Sequence, residues 1–160
     1  VNGAVYYLMA YLLTNLAAFG VVWVVSRSTG SDEIQSLSGL SRRSPGLAIL
    51  LSMALLSLGG IPLFAGFLGK FLVFASAVQS GMIWLAVIGV INSVVALYYY
   101  LNVMKVMYLG TAPDGEQPVK ILLPWRMALW FCGIGILVLG VIFSPWYNWS
   151  ALASTAIFLH

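Results

Sequence analysis

The stretch that decides the fold reads LLSLGGIPLFAGFLGK, residues 55–70, and it lies in the middle of a long apolar segment. Gly59, Gly60 and Pro62 fall close together inside it. Because glycine relaxes the restraint on φ and proline has no backbone donor, a continuous helix is not expected here. Inside a bilayer, non-helical backbone is tolerated only where protein or water satisfies its polar groups. The stretch therefore predicts a helix that is broken near residues 59–64 for a functional reason.

Lys70 ends this stretch and is the first charged residue after Arg43. Counting back from Ser80 at about 1.5 Å per residue places Lys70 roughly 15 Å below the surface, near the midplane of the bilayer. An ammonium at that depth pairs with an acid, contacts water or loses its proton. Lys70 is therefore the candidate proton-translocation residue, and a structural lysine is the alternative. Because all four acidic residues fall in predicted loops, an acidic partner would belong to another chain or to further sequence.

The composition is that of a membrane protein, since 62% of the 160 residues are hydrophobic and only 7% are charged. The net charge of +3 comes from too few groups to form a nucleic-acid-binding surface. With one cysteine, Cys132, and one histidine, His160, we expect no disulfide, no metal site, no cofactor and no catalytic residue within the chain. A start at Val1 instead of methionine suggests a fragment.

The hydropathy pattern predicts an all-α polytopic membrane protein with four transmembrane crossings, one of them through the discontinuous helix. The predicted crossings are about residues 4–25, 45–80 (broken near 59–64), 83–109 and 125–144, followed by an interfacial helix over 145–160. Residues 26–44 and 111–124 are predicted to be loops, the first of them aqueous.

The basic residues indicate how the segment 45–80 crosses. If it crosses once, six of the seven lysines and arginines lie on or beside the two long loops. They are Arg27, Arg42, Arg43, Lys105, Lys120 and Arg126. If it crosses twice, they divide three and three. The positive-inside rule favours one crossing, which makes the basic loops cytoplasmic and the C-terminus external in a bacterial-type plasma membrane or an equivalent energy-transducing membrane.

Several polar residues within the predicted spans form a candidate polar path. They are Thr14, Asn15, Asn92, Ser93 and Lys105. The alternative is structural: Thr14 and Asn15 would hydrogen-bond a neighbouring helix, and Lys105 would extend to the membrane surface. Tyr98, Tyr99 and Tyr100 are interpreted as marking the approach to that surface.

Three stretches carry a resemblance to a known family: YLLTNLAAFGVV (11–22), LLSLGGIPLFAGFLGKF (55–71) and ALYYYLNV (96–103). They resemble the C-terminal part of the antiporter-like subunit N of respiratory complex I, the proton-pumping NADH:quinone oxidoreductase. That family has fourteen spans in two inverted five-helix repeats, and the order here resembles helices eleven to fourteen. The resemblance implies that residues 45–80 form the discontinuous helix twelve and that Lys70 is the lysine of the C-terminal half-channel.

The resemblance further implies a proton-translocating subunit without redox chemistry of its own, the flavin and the iron–sulfur clusters being on other subunits. Its partners would be the other membrane subunits of complex I, including neighbouring antiporter-like subunits, and the lipid bilayer. Two alternatives stay open at this point. The first is a subunit of a cation/proton antiporter or of a membrane-bound hydrogenase, and the second is a membrane scaffold in which Lys70 only packs.

Overall fold

A computed structural model describes residues 2–111 and 117–142, and every regular element within them is helical. This confirms the all-α prediction for the described residues. In chain order the elements are α1 (Asn2–Thr29), a 3₁₀ turn (Ile34–Leu37), α2 (Leu40–Arg43), α3 (Pro45–Gly59), α4 (Ala65–Gln79), α5 (Ile83–Leu109) and α6 (Leu123–Val141).

Three of the helices are long and apolar enough to cross a membrane: α1 over Gly3–Thr29, α5 and α6. A crossing needs about 20 residues. Helices α3 and α4 have 15 residues each, so neither of them reaches that length by itself.

Helices α3 and α4 follow one another along α1 in the opposite direction. Near the start of α1, Gly3 lies against Leu72 of α4. Further along α1, Thr14 contacts Ser57 in the last turns of α3. Val25, close to the end of α1, belongs to the same core cluster as Leu47 at the start of α3. The two short helices thus have the course of a single interrupted helix.

The interruption itself covers residues 60–64, within the predicted interval, with Gly59 as the last helical residue of α3. Gly60 has φ 79° and ends α3, and its N–H and that of Ile61 donate at 3.0 Å to the carbonyls of Ser57 and Leu56. This pairing is a Schellman motif, which needs the left-handed conformation that glycine adopts easily. Leu63 also has a positive φ, 84°, so the second half of the break is backbone that a branched residue rarely adopts.

Helix α6 packs against the break. A side chain at Gly140 would overlap the backbone of Leu63 and Phe64, so the glycine permits backbone-to-backbone contact. One residue earlier, the Leu139 carbonyl accepts a hydrogen bond of 2.6 Å from the hydroxyl of Tyr6 on α1. The break therefore contacts α6 on one side, while Pro62 and Leu63 within it are exposed.

The structure differs from the sequence prediction at the end of the first helix and in the loop that follows. Helix α1 continues to Thr29, whose hydroxyl donates to the Val25 carbonyl at 3.0 Å. In the segment predicted to be an aqueous loop, Leu37 and Leu40 are buried, because they pack in the core next to the start of α3. Residues 143–160, with the predicted interfacial helix and His160, lie outside the described residues.

Candidate functional site

Lys70 extends from the second turn of α4 back over the break to the end of α3. Its Nζ donates to the carbonyl of Leu58 at 2.8 Å and to the hydroxyl of Ser93 on α5 at 3.1 Å. A Cβ at Gly60 would lie only 3.2 Å from Lys70 Cδ. The missing side chain at Gly60 therefore leaves room for the lysine to reach α3.

The carbonyl that Lys70 reaches has lost its helical partner. In an α-helix the Leu58 carbonyl would accept from the N–H of residue 62, but residue 62 is Pro62, which has none. A carbonyl left unpaired away from water costs about 1–3 kcal/mol. The C-terminus of a helix also carries partial negative charge, which favours a cation. The lysine thus compensates for the proline that breaks the helix.

At the opposite end of the break, a side chain of α3 accepts a hydrogen bond from the start of α4. The buried hydroxyl of Ser57 accepts the N–H of Gly66, in the first turn of α4, at 3.1 Å. Thr14 Oγ1 lies 3.2 Å from Ser57 Oγ and donates its single proton to the Ala10 carbonyl at 2.6 Å, so Ser57 is the donor to Thr14. Each half of the broken helix therefore provides a hydrogen-bonding group to the exposed end of the other.

Two cavities meet at Lys70. The first, here called the tyrosine cavity, has a volume of about 110 Å³. Its lining residues are Tyr7, Tyr11, Thr14, Ser57, Leu58, Gly66, Lys70 and Tyr100. The second, the Asn92 cavity, has a volume of about 320 Å³. Its lining residues are Tyr7, Lys70, Val73, Phe74, Gly89, Asn92, Ser93 and Ala96. Both have room for several water molecules, each of which occupies about 30 Å³ in the liquid.

The two cavities extend from Lys70 toward opposite ends of the bundle. On α4, the Asn92 cavity reaches Phe74, on the side of Lys70 nearer the end of that helix. On the antiparallel α1, the tyrosine cavity reaches Thr14, which lies away from that end. Along α5, Gly89 lines the Asn92 cavity and Tyr100 lines the tyrosine cavity, so this helix also shows that the two cavities lie on opposite sides of Lys70. Lys70 is therefore located between two cavities that are displaced along the helix axes.

The structure brings together three of the five residues of the candidate polar path. Thr14 lines the tyrosine cavity, while Asn92 and Ser93 line the Asn92 cavity. Asn15 donates to the Tyr11 carbonyl of its own helix at 2.7 Å. Lys105 is exposed and lies about 18 Å along α5 from Ser93 at the usual helical rise. Neither of these last two lines a cavity next to Lys70.

Four further residues next to Lys70 were not predicted from the sequence as site residues: Tyr7, Tyr11, Ser57 and Tyr100. The spacing of Tyr7, Tyr11 and Thr14 puts them on one face of α1 and is a signal that the sequence does carry. The tyrosine triplet of α5 divides, because Tyr98 and Tyr99 are exposed and Tyr100 contributes to the tyrosine cavity. The interpretation that the triplet marks the approach to the membrane surface therefore does not apply to Tyr100.

The described residues contain no cluster of three or more histidine, cysteine, aspartate or glutamate side chains that would hold a metal ion. Neither cavity next to Lys70 has an acidic residue in its described lining. The polar groups to which the lysine donates are the Ser93 hydroxyl and the Leu58 backbone carbonyl.

Fold and site together define a polytopic helical membrane protein whose broken helix holds a half-buried lysine between two cavities. Residues 1–96 match the family described as "NADH:quinone oxidoreductase/Mrp antiporter, TM". The chain belongs to this family, and it is an integral membrane protein.

The relatives agree with the subunit that the sequence resembles. NADH-quinone oxidoreductase subunit N of Moorella thermoacetica is 39% identical over 159 residues, which is 99% of this chain and 33% of that protein. The chain thus spans about a third of the length of this relative. In respiratory complex I from Thermus thermophilus with bound aureothin, one chain matches 89% of this chain at 34% identity with TM-score 0.73, over 34% of its own length.

A second structural match shows the fold alone. A chain of the Mrp complex from Dietzia sp. DQ12-45-1b covers 94% of this chain, with 36% of that chain aligned, at 20% identity and TM-score 0.82. The helical arrangement is therefore shared more widely than the sequence.

Replacing Ser57 with alanine tests the reciprocal hydrogen bonding across the break. Ser57→Ala leaves the Gly66 N–H without its acceptor and removes the link to Thr14. We expect a loss of about 1–2 kcal/mol in the free energy of unfolding, the usual cost of losing a helix-capping hydroxyl. Thermal unfolding of the purified full-length subunit measures it. Ser76→Ala is the matched control, because Ser76 is exposed and bonds only the Leu72 carbonyl of its own helix. Equal stability of the two variants would contradict the reciprocal arrangement.

Proposed function

We propose that the chain is the C-terminal part of a proton-translocating subunit of a membrane-bound NADH-quinone oxidoreductase, and that Lys70 carries protons between its two adjoining cavities. The observation that carries the proposal is the position of the Lys70 amine. Among the described lining residues, only Tyr7 and Lys70 are common to both cavities. In water an amine and a phenol release their protons at a similar pH, about 10, but desolvation disfavours a charged ammonium and favours a neutral phenol, so a site away from water makes an amine easier to deprotonate and a phenol harder. Lys70 is therefore the group of the two that suits proton transfer.

The transfer needs only the amine and water. Neutral Lys70 Nζ accepts a proton from a water molecule of one cavity through its lone pair, and the ammonium later returns a proton to water in the other cavity. The ammonium has three N–H bonds, of which Leu58 and Ser93 take two. The third remains for water, so charging the amine does not require either protein contact to be given up.

Opposing effects keep both protonation states accessible. A charged lysine at bilayer depth costs about 2.5–3.5 kcal/mol on insertion scales, which disfavours the ammonium. The orphaned Leu58 carbonyl at the negative end of α3 favours it. We propose that the charged and neutral forms of Lys70 are close enough in free energy for a proton to leave as well as arrive.

The course of α3 and α4 along α1 supports a fourth crossing made by the two short helices together, in addition to the three long ones. Arg27, Arg43 and Lys120 line a common cavity at the end of the bundle where α1 ends. The positive-inside rule then makes this end cytoplasmic. On this proposal the exposed apolar side chains of α5, such as Trp84 and Ile91, face lipid or neighbouring membrane subunits of the oxidoreductase.

Substitutions of Lys70 test the proton transfer. Lys70→Met removes the titrating group while keeping a side chain of similar length, so the complex should assemble and transfer electrons with fewer protons moved per electron. Lys70→Arg keeps the charge but does not release its proton readily, so it should show the same defect. The proton-to-electron ratio in sealed vesicles measures both.

Lys105→Met is the matched control, since Lys105 is an exposed lysine that lines neither cavity. It should keep the normal ratio. If both Lys70 variants pump at the normal ratio, Lys70 is structural and the proposed relay is wrong. If the Lys70 variants fail to assemble while Lys105→Met assembles, the lysine serves packing, as in the scaffold alternative.

Cysteine labelling tests the sidedness. In a Cys132→Ser background, Gln35→Cys lies in the exposed part of the loop after α1, and Ser80→Cys lies in the exposed turn after α4. A membrane-impermeant maleimide should label Gln35→Cys only from the cytoplasmic face and Ser80→Cys only from the other face. Ser38 is unsuitable for labelling because it is buried and donates to the Thr111 carbonyl. Labelling of both cysteines from one face would exclude the single crossing by α3 and α4.

A further inference from the structure

A cavity larger than the two beside Lys70 lies far from that residue. It measures about 790 Å³ and lies between the last turns of α1 and residues 117–122, which lead into α6. Three basic residues line it, Arg27, Arg43 and Lys120, and its described lining has no acidic residue. We call it the cationic cavity. Its volume is within the range of about 300–1,000 Å³ that is usual for small-molecule sites.

Among the described residues, the two arginines contact neutral groups. Arg43 is buried, and it donates from Nε to the Gln117 carbonyl at 3.3 Å and from Nη1 to the Ser36 carbonyl at 3.2 Å. The Arg27 guanidinium lies 5.5 Å from the ring centre of Trp23. These contacts hold the guanidinium groups in place without neutralising them. Since like charges repel, three cations around one space favour an anion within it, and guanidinium groups match the geometry of phosphate oxygens.

The cavity is at the level where the spanning helices leave the hydrocarbon. It lies where α1 ends and α6 begins, and both are candidate membrane spans. The rings of Trp23 and Trp125, which line it, pack with their centres 4.7 Å apart. Tryptophan is enriched at membrane–water interfaces. The basic groups are therefore placed at the depth of lipid headgroups.

An apolar surface continues from the cavity toward the membrane interior. Phe19 is one helical turn from Trp23 on the same side of α1 and is 69% exposed, and Leu122 at the entrance to α6 is 72% exposed. A free phosphate ion would use the cations and leave this surface bare. A phospholipid would place its phosphate among the cations and its acyl chains along the apolar surface, and basic pockets between spanning helices suit anionic headgroups. We propose that the cationic cavity is a binding site for the headgroup of an anionic phospholipid.

Photocrosslinking tests the site. The assembled complex is placed in phosphatidylcholine nanodiscs that contain a photoactivatable phosphatidylglycerol, and crosslinked peptides are identified by mass spectrometry. Crosslinks should appear in peptides from the end of α1 and the start of α6. They should fall about a hundredfold in the double variant Arg27→Gln/Lys120→Gln, because each of the two lost charged hydrogen bonds weakens binding by about tenfold. Arg126→Gln is the matched control, an exposed arginine close to the cavity but outside its lining, and should crosslink normally.

Competition separates the sources of the anion. Unlabelled phosphatidylglycerol should displace the probe, and millimolar inorganic phosphate should not. Equal displacement by phosphate would mean a site for soluble anions, and equal crosslinking by a photoactivatable phosphatidylcholine would mean no selection for charge. Either result overturns the proposal, as does unchanged crosslinking in the double variant. Arg27→Lys/Lys120→Arg keeps both charges and should retain most of the crosslinking, and a loss as large as in the glutamine variant would also overturn the proposal.

Discussion

The Leu58 carbonyl is the constraint on which the rest of the site depends. Pro62 cannot provide the N–H that would donate to this carbonyl in a continuous helix. Within a membrane, bulk water is not available as an alternative donor. Lys70 supplies the missing donor at 2.8 Å. The proline that interrupts the helix therefore creates the need that holds an ammonium inside the bundle, and the break and the lysine are one chemical unit.

The surrounding packing follows from keeping the break compact. Gly60 leaves space for the lysine stem, Gly66 lets α4 start against the backbone of Ser57, and Gly140 lets α6 contact the break directly. The Ser57 hydroxyl accepts a hydrogen bond from the Gly66 N–H of α4, so the end of α3 and the start of α4 each have a hydrogen-bonding partner across the break. Beside Lys70 the packing leaves two cavities, one lined by tyrosines and the other lined in part by Asn92.

The sequence predicts the features that depend on local chemistry. Gly60 and Pro62 predict the break, and the isolated charge of Lys70 indicates the candidate site. The family resemblance is carried by this stretch together with residues 11–22 and 96–103, and the family match covers residues 1–96. The sequence does not predict that Tyr100 turns toward Lys70 while its neighbours are exposed, because a tyrosine triplet has the same composition on either face of a helix. The burial of Arg43 is likewise missed, since it depends on the carbonyl of Gln117, which is distant in the chain.

Proton transfer through Lys70 requires water to reach its amine from both cavities, and a map of the intact complex at a resolution that shows ordered water tests this most directly. We expect water density in the tyrosine cavity and in the Asn92 cavity, with a water molecule about 2.7–3.2 Å from Lys70 Nζ on at least one side. Dry cavities, or an acyl chain packed against the Lys70 amine, would contradict proton transfer through Lys70.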